Sequence, residues 1–226
     1  MDFTSIWTQA ELDQSWRVDE IRLLDNHCSI LVGVQQNTMR RACVLLLYAH
    51  FEGYFKFIFA LYINELNRLE LKCRDVNFAL VALTLDDLFK ELKNPDKKVK
   101  EFVRLLPDDK SLYSFARNRE FLERFMEFES RMVNIPETSI DTESNLKPVV
   151  LRKNLYKLGF NHMQFAEFEP SINRLLEFRN KIAHGSQAFE ISFEMYDRIR
   201  ADVFSLMNMV KSFVLLSLRA EEFKRI

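Results

Sequence analysis

Glycine and proline are scarce in this sequence, and their scarcity limits the folds it can adopt. Four glycines and five prolines occur among 226 residues, too few for the frequent tight turns of an all-β protein. Twenty-one phenylalanines accompany abundant leucine, glutamate and lysine, and 48% of the residues are hydrophobic. Because these are good helix formers and the apolar content can fill a sizeable core, the composition predicts an all-α protein.

Cysteine is also scarce, and its positions predict neither a metal site nor a disulfide framework. Cys28, Cys43 and Cys73 lack the paired spacing of zinc ligands, and their odd number leaves one thiol over. His27 and His162 have no partner at ligand spacing either. The acidic N-terminus lacks the basic start and apolar run of a signal peptide. We therefore expect a cytoplasmic protein with reduced cysteines and no bound metal.

Several common catalytic motifs are missing as well. The sequence has no glycine-rich phosphate loop, no His-Glu-x-x-His zinc motif and no Gly-x-Ser-x-Gly nucleophile elbow, which removes most common enzyme classes and gives no reason to expect a cofactor. The net charge of −1 creates no global attraction for nucleic acid, so any RNA contact needs a local patch. Residues 147–184 carry seven Lys or Arg against three acids, whereas residues 1–36 carry six acids against two arginines. The basic segment 147–184 is therefore the candidate for an RNA-binding patch.

One apolar stretch, Ala42–Ile63, is long enough to raise the question of a membrane span. It contains His50, Glu52 and Lys56 near its centre, where charged side chains would be costly in hydrocarbon. A buried helix of a soluble bundle explains the stretch better, and we expect no membrane contact.

Periodicity and capping residues predict long helices at both ends of the chain. The first spans about residues 11–36, and the second runs from an N-cap at Asn37 to about Leu71, apolar nearly all round and therefore central. Glu169-Pro170 begins a later helix that Gly185 caps in the left-handed conformation. A final helix spans about residues 192–224. Its apolar stripe is Phe193, Tyr196, Ile199, Val203, Leu206, Val210, Phe213 and Leu216.

Between the second and penultimate long helices, residues 72–165 look like an inserted region of shorter helices. Thr84, with Asp87 three positions on, resembles a helix start; Asn94-Pro95 marks a break; and Ser111 is the expected start of another helix. Residues 135–147 are polar with scarcely any periodicity and predict a mobile loop. The chain is expected to form one domain, 1–226, a helical bundle with this insertion.

The basic segment ends in Arg179-Asn180-Lys181-Ile182-Ala183-His184. A turn of roughly 100° per residue places Arg179 in the middle of the apolar stripe of its helix, with Asn180 and His184 together on the flank. A guanidinium on a packing face needs an anion, supplied either by an internal carboxylate or by a ligand in a cleft. The alternative is a purely structural role, in which Arg179 forms a buried ion pair and His184 only ends the helix.

The string at 179–185 resembles the Arg-x(4–6)-His signature of the HEPN superfamily, including a polar residue after the arginine. The segment 48–56, Tyr-Ala-His-Phe-Glu-Gly-Tyr-Phe-Lys, is similar to a box found in HEPN nucleases of prokaryotic toxin and phage-defence systems. The resemblance implies a helical bundle that pairs as a homodimer, so that two such strings form one composite site. It implies a metal-independent endoribonuclease in which His184 moves protons, Arg179 stabilises the phosphate and Asn180 holds the geometry.

We also expect Glu52, Lys56 and Lys181 to be supporting residues of the site. Glu52 and Lys56 share one face of the second helix, and a local ion pair between them is one explanation. Our hypothesis is that Glu52 is instead the internal anion for Arg179. His50 and Tyr54 lie on the opposite flank and are expected in the core or an interface rather than in catalysis.

The sequence thus predicts an RNA-cutting toxin or antiviral-defence effector, with RNA as substrate and a possible antitoxin or defence-system partner that restrains it. A catalytically inactive HEPN module, which binds nucleotides or acts as an adaptor in a larger assembly, is the first alternative. A plain helical interaction protein with a coincidental Arg–His string is the second.

Overall fold

Long helices at both ends of the chain flank a stretch of shorter ones. The structure is a computed structural model that describes residues 2–99, 102, 104–105, 109–143, 145–185 and 190–225. Within these ranges it contains no strand beyond two isolated antiparallel bridges, so the predicted all-α class is confirmed. The α-helices are α1 (Phe3–Ser29), α2 (Gly33–Arg68), α3 (Phe78–Thr84), α4 (Asp86–Lys93), α5 (Lys110–Phe125), α6 (Pro148–Lys157), α7 (Glu169–Ala183) and α8 (Phe193–Arg219).

Helix α2 is the centre of the bundle, as its apolar composition predicts. It packs against α1, α7 and α8. Its largest side chains, including Phe51, Tyr54 and Phe55, are fully buried. By length and composition α2 and α8 could each cross a membrane, but 56% and 50% of their apolar windows are buried inside the protein, as expected for core helices.

The long helices run alternately up and down. The short connection between α1 and α2 folds the two helices back on each other, so that Cys28 meets Gln36 near the turn. Helix α8 runs opposite to α1, because Tyr196 at its start bonds to Asp25 and Lys211 farther along bonds to Glu11. Helix α7 fills the remaining side against α2 and α8.

The predicted boundary between the first two helices is wrong by several residues. Helix α1 ends at Ser29 and α2 begins at Gly33, where a backbone φ of +57° favours glycine. Asn37, predicted as the N-cap, lies within α2, and its side chain accepts a hydrogen bond from the Ile191 N–H at 3.2 Å. The polar stretch around Asn37 reflects the exposure of the first turns of α2 and not a break in the helix.

The described residues between 72 and 168 form shorter elements, three-residue 3₁₀ turns among them. The break at Asn94-Pro95 is confirmed, because α4 ends at Lys93. The helix predicted to start at Ser111 is confirmed to within one residue, because α5 begins at Lys110, whereas the start predicted at Thr84 is wrong. Thr84 is the last residue of α3, and Asp109 rather than Ser111 caps α5, accepting from the Leu112 N–H at 2.8 Å.

The last two helices follow the prediction closely. Helix α7 starts at Glu169-Pro170, and Gly185 adopts φ +81° directly beyond its C-cap. Helix α8 ends at Arg219, earlier than predicted, because Glu221 leaves the helical conformation. Phe193 and Leu216 of the predicted stripe are exposed and do not join the core.

Candidate active site

The site forms where the packing face of α7 reaches the surface. Ile172, Leu175 and Leu176 are buried against the core, and one turn later Arg179 is half-buried on the same face. Asn180 is half-buried too, whereas Lys181 and His184 are exposed. The apolar stripe of α7 therefore leads from the core to a charged edge, as the helical periodicity predicts.

Among the residues that the structure describes, Arg179 has no carboxylate partner. Its Nη1 donates to Asn180 Oδ1 at 2.9 Å, and its Cζ lies 5.0 Å from the centroid of the Tyr48 ring, a cation–π contact. Within the described ranges, no carboxylate oxygen lies within 4.0 Å of its nitrogens. The guanidinium is held in place while its charge remains available to an anion from outside.

Glu52 does not play the part that we predicted for it. Neither Arg179 nor Lys56 pairs with its carboxylate among the residues that the structure describes, so the hypothesis of a direct Glu52–Arg179 ion pair is wrong. Tyr48 lies beside both groups: its ring contacts the guanidinium, and the Glu52 carboxylate helps to raise the pKa of its hydroxyl. Lys56 is exposed on α2, and Lys181 pairs with Glu177 at 2.6 Å.

Tyr48 is itself fixed on several sides. It is only 4% exposed, its hydroxyl donates to Asn145 Oδ1 at 3.0 Å, and the hydroxyl oxygen accepts from the Leu146 N–H at 3.1 Å. Burial, with the Glu52 carboxylate nearby, raises the pKa of Tyr48 to about 12. The hydroxyl therefore stays protonated at neutral pH and keeps its donor.

His184 occupies the end of α7, where an external ligand can reach it. Its backbone N–H donates to Asn180 O at 2.9 Å, and Gly185 turns the chain away immediately afterwards. The imidazole is exposed, and five residues at a rise of roughly 1.5 Å each separate the backbone positions of Arg179 and His184 by about 7.5 Å along the helix axis.

His50 and Tyr54 point to the other side of α2, towards α1. His50 is 5% exposed, with Nε2 2.8 Å from Glu20 Oε2 and the ring edge-on to Trp16. Burial lowers the pKa of His50, and Glu20 opposes that shift. Tyr54 is fully buried, and burial raises the pKa of its hydroxyl. The prediction that both residues belong to the core is confirmed.

Gly53 lies on the same side of α2, the side that faces α1. A Cβ at this position would lie 2.8 Å from Arg17 Nη1. Arg17 in turn holds Asp13 through two hydrogen bonds, of 2.8 and 3.1 Å. The neighbour that leaves no room for a Cβ is therefore the side chain of Arg17.

Two residues of the site were missed at the level of sequence. Tyr48 was part of the quoted box, and it lies four residues before Glu52, on the same helical face; this spacing is the pattern that could have identified it. Asn145 belongs to the polar run 135–147, which has no periodicity, and nothing in the sequence indicates that it binds Tyr48. Residue 144 of that run lies outside the described residues.

Cysteine and histidine clusters are not features of this site. Within the described part of the chain, no group of three or more His, Cys, Asp or Glu side chains could hold a metal ion. Cys28, Cys43 and Cys73 are buried and free, and burial raises the pKa of the Cys43 thiol to about 11. These thiols are protonated and inert at neutral pH.

A known protein family matches most of this chain. The family model described as RiboL-PSP-HEPN matches residues 13–215, which include Tyr48, Arg179 and His184. No curated protein matches, and no solved structure matches.

Proposed function

Because the chain belongs to the RiboL-PSP-HEPN family, within the HEPN superfamily, we propose that it is a metal-independent endoribonuclease. Membership implies an RNase-type or nucleotide-binding function. The observation that carries the proposal is the state of Arg179: half-buried, oriented by Tyr48 and Asn180, and without a carboxylate partner in the described ranges. A phosphate would supply the missing anion, and a guanidinium fork matches its oxygens.

The proposed reaction uses the 2′-hydroxyl of the RNA as nucleophile. An imidazole exchanges protons near neutral pH, so His184 removes the 2′-hydroxyl proton while the 2′-oxygen attacks phosphorus. The bond from phosphorus to the 5′-oxygen breaks, and that oxygen takes a proton from a second imidazole. Arg179 stabilises the charge that develops on the phosphate, and Asn180 keeps the guanidinium in place. The products are a 2′,3′-cyclic phosphate and a 5′-hydroxyl.

A homodimer would provide the second imidazole. Asn37 and Arg40 bind Ile191 and bring the start of α2 next to the start of α8. Exposed apolar side chains lie at this junction and at the neighbouring end of α1, a surface that favours association. They are Ile30, Val32, Val34, Phe193 and Met195. If two copies share the site, cleavage per unit of protein should fall on dilution through the dimer's dissociation range.

The proposed biological role is that of a toxin or antiviral-defence effector in the cytoplasm. Unrestrained cutting of cellular RNA would harm the host, so we propose that an antitoxin or defence-system partner restrains the protein. An inactive nucleotide-binding or adaptor module is the competing role. Such a module would be expected to keep Arg179 in a closed salt bridge, which the described structure lacks.

Expression in cells tests the role directly. Wild type should arrest growth and degrade RNA, and His184→Ala should do neither at equal protein levels. His162→Ala is the matched control, because His162 is also an exposed histidine but lies outside α7; it should behave like wild type. Normal growth with intact RNA in all three strains would contradict the toxin role.

A further inference from the structure

The Arg179 guanidinium rests on an aromatic face where a carboxylate would be the usual partner. A carboxylate at that position would orient the cation but would also neutralise it and compete with phosphate. The Tyr48 ring, with its centroid 5.0 Å from Cζ, restricts the guanidinium plane and leaves the positive charge available. The nearest part of α2 thus orients the cation without occupying its hydrogen-bonding edge.

Tyr48 can orient Arg179 because hydrogen bonds hold the Tyr48 side chain in place. Asn145 and Leu146 bind its hydroxyl as acceptor and donor, and the Leu146 side chain is fully buried. The same segment is fastened to α6, where the buried Asn154 donates to Asp141 O at 2.9 Å. Contacts of Asp141, Asn145 and Leu146 therefore connect α6 to the Tyr48 ring, which in turn contacts Arg179.

We propose that Tyr48 is the positioning residue of the site: its ring holds the Arg179 guanidinium for phosphate, and its hydroxyl makes that position depend on Asn145 and Leu146. The inference rests on the proposed nuclease function for its kinetic consequence. It assigns the shorter-helix region a role in the site, because Asn145 belongs to that region and Arg179 to the bundle. The region would serve as a support that keeps the site in its active geometry.

Two substitutions separate the ring from the hydroxyl. Tyr48→Leu removes the ring and should lower kcat by about 2- to 30-fold, the range of a cation–π contact, with a smaller change in KM. Tyr48→Phe keeps the ring but releases Asn145 and Leu146, and its kcat should lie between those of Tyr48→Leu and wild type. Asn145→Ala should match Tyr48→Phe. The control is Tyr54→Phe, which removes another buried hydroxyl from α2, one without a hydrogen-bond partner among the described residues, and should leave kcat unchanged.

A spectroscopic measurement gives a result that a purely structural role would not. The ring current of Tyr48 should shift the Nε–Hε resonance of Arg179 in ¹⁵N NMR spectra, and Arg179→Lys identifies that resonance by its loss. Tyr48→Leu should return it to the ordinary region, whereas Tyr54→Phe should leave it in place. If Tyr48→Leu does not fold, Tyr48→Phe and Asn145→Ala still test the hydroxyl through the same resonance.

The outcomes separate this inference from the proposed function. If wild type cleaves RNA and Tyr48→Leu cleaves equally well with an unmoved Arg179 resonance, the positioning role is overturned and the nuclease proposal stands. If wild type does not cleave RNA, the nuclease proposal fails. The Arg179 resonance then decides alone whether Tyr48 holds the guanidinium, and an unchanged resonance in Tyr48→Leu would refute it.

Discussion

Replacing Arg179 by glutamine should damage cleavage far more than stability. The substitution removes one cation–π contact and the charge from one hydrogen bond to Asn180. Together these contribute about 1–3 kcal/mol, with the lower half expected because the side chain is only half-buried. A closed ion pair with a buried carboxylate would predict a larger loss, about 3–5 kcal/mol. The free energy of unfolding thus distinguishes a cation without a carboxylate partner from a structural salt bridge.

The catalytic loss follows from the phosphate contact that Arg179 is proposed to make. Removing one preorganised group that stabilises transition-state charge costs about 10²- to 10³-fold in kcat. Urea unfolding followed by circular dichroism gives the stability, and single-turnover cleavage of a labelled RNA gives the rate. Arg174→Gln, an exposed arginine on the same helix, is the control and should change neither. A cleavage rate for Arg179→Gln within about threefold of wild type would refute the reasoning, as would a stability loss of 3 kcal/mol or more.

Three further substitutions test the surroundings of the site. Glu52→Lys places a second cation near the Tyr48–Arg179 contact, and cleavage should fall while the circular dichroism spectrum is retained; full cleavage would show that Glu52 is dispensable. Because burial lowers the pKa of His50, the unfolded state binds its proton first. Stability should therefore fall as pH drops below the ordinary histidine value of about 6.5, and His50→Gln should flatten that fall in urea titrations at pH 5–7. Gly185→Ala should cost about 1 kcal/mol, because φ is +81°, and should reduce cleavage by displacing the end of α7; a neutral result in both assays would contradict the need for a left-handed cap.

Helical periodicity was enough to predict where Arg179 lies. Helix α7 is regular, its start and its cap have distinct residues, and a repeat of 3.6 residues places the arginine on the packing face. The buried Ile172 and Leu175 confirm that face. The anion for that arginine could not be predicted in the same way, since its neighbour depends on how α7 packs against α2. Tyr48 and Glu52 share one helical face, and periodicity alone does not say which of them reaches across.

Polar segments were the least predictable part of the chain. Asn37 looked like a helix start because asparagine is a preferred N-cap residue, yet it lies inside α2. Asn145 looked like part of a mobile loop, yet it binds Tyr48. In both cases the asparagine side chain bonds to a residue that is distant in sequence, and such contacts leave no periodic pattern.

The chemical ends of the RNA products test the central claim most directly. Purified wild-type protein incubated with RNA in EDTA should produce 2′,3′-cyclic phosphate and 5′-hydroxyl ends, because attack by the 2′-hydroxyl at Arg179 and His184 requires no metal. His184→Ala, folded as wild type by circular dichroism, should produce none, and His162→Ala should match wild type. Cleavage that EDTA abolishes, products with 3′-hydroxyl ends, or full activity of His184→Ala would each contradict the proposed mechanism.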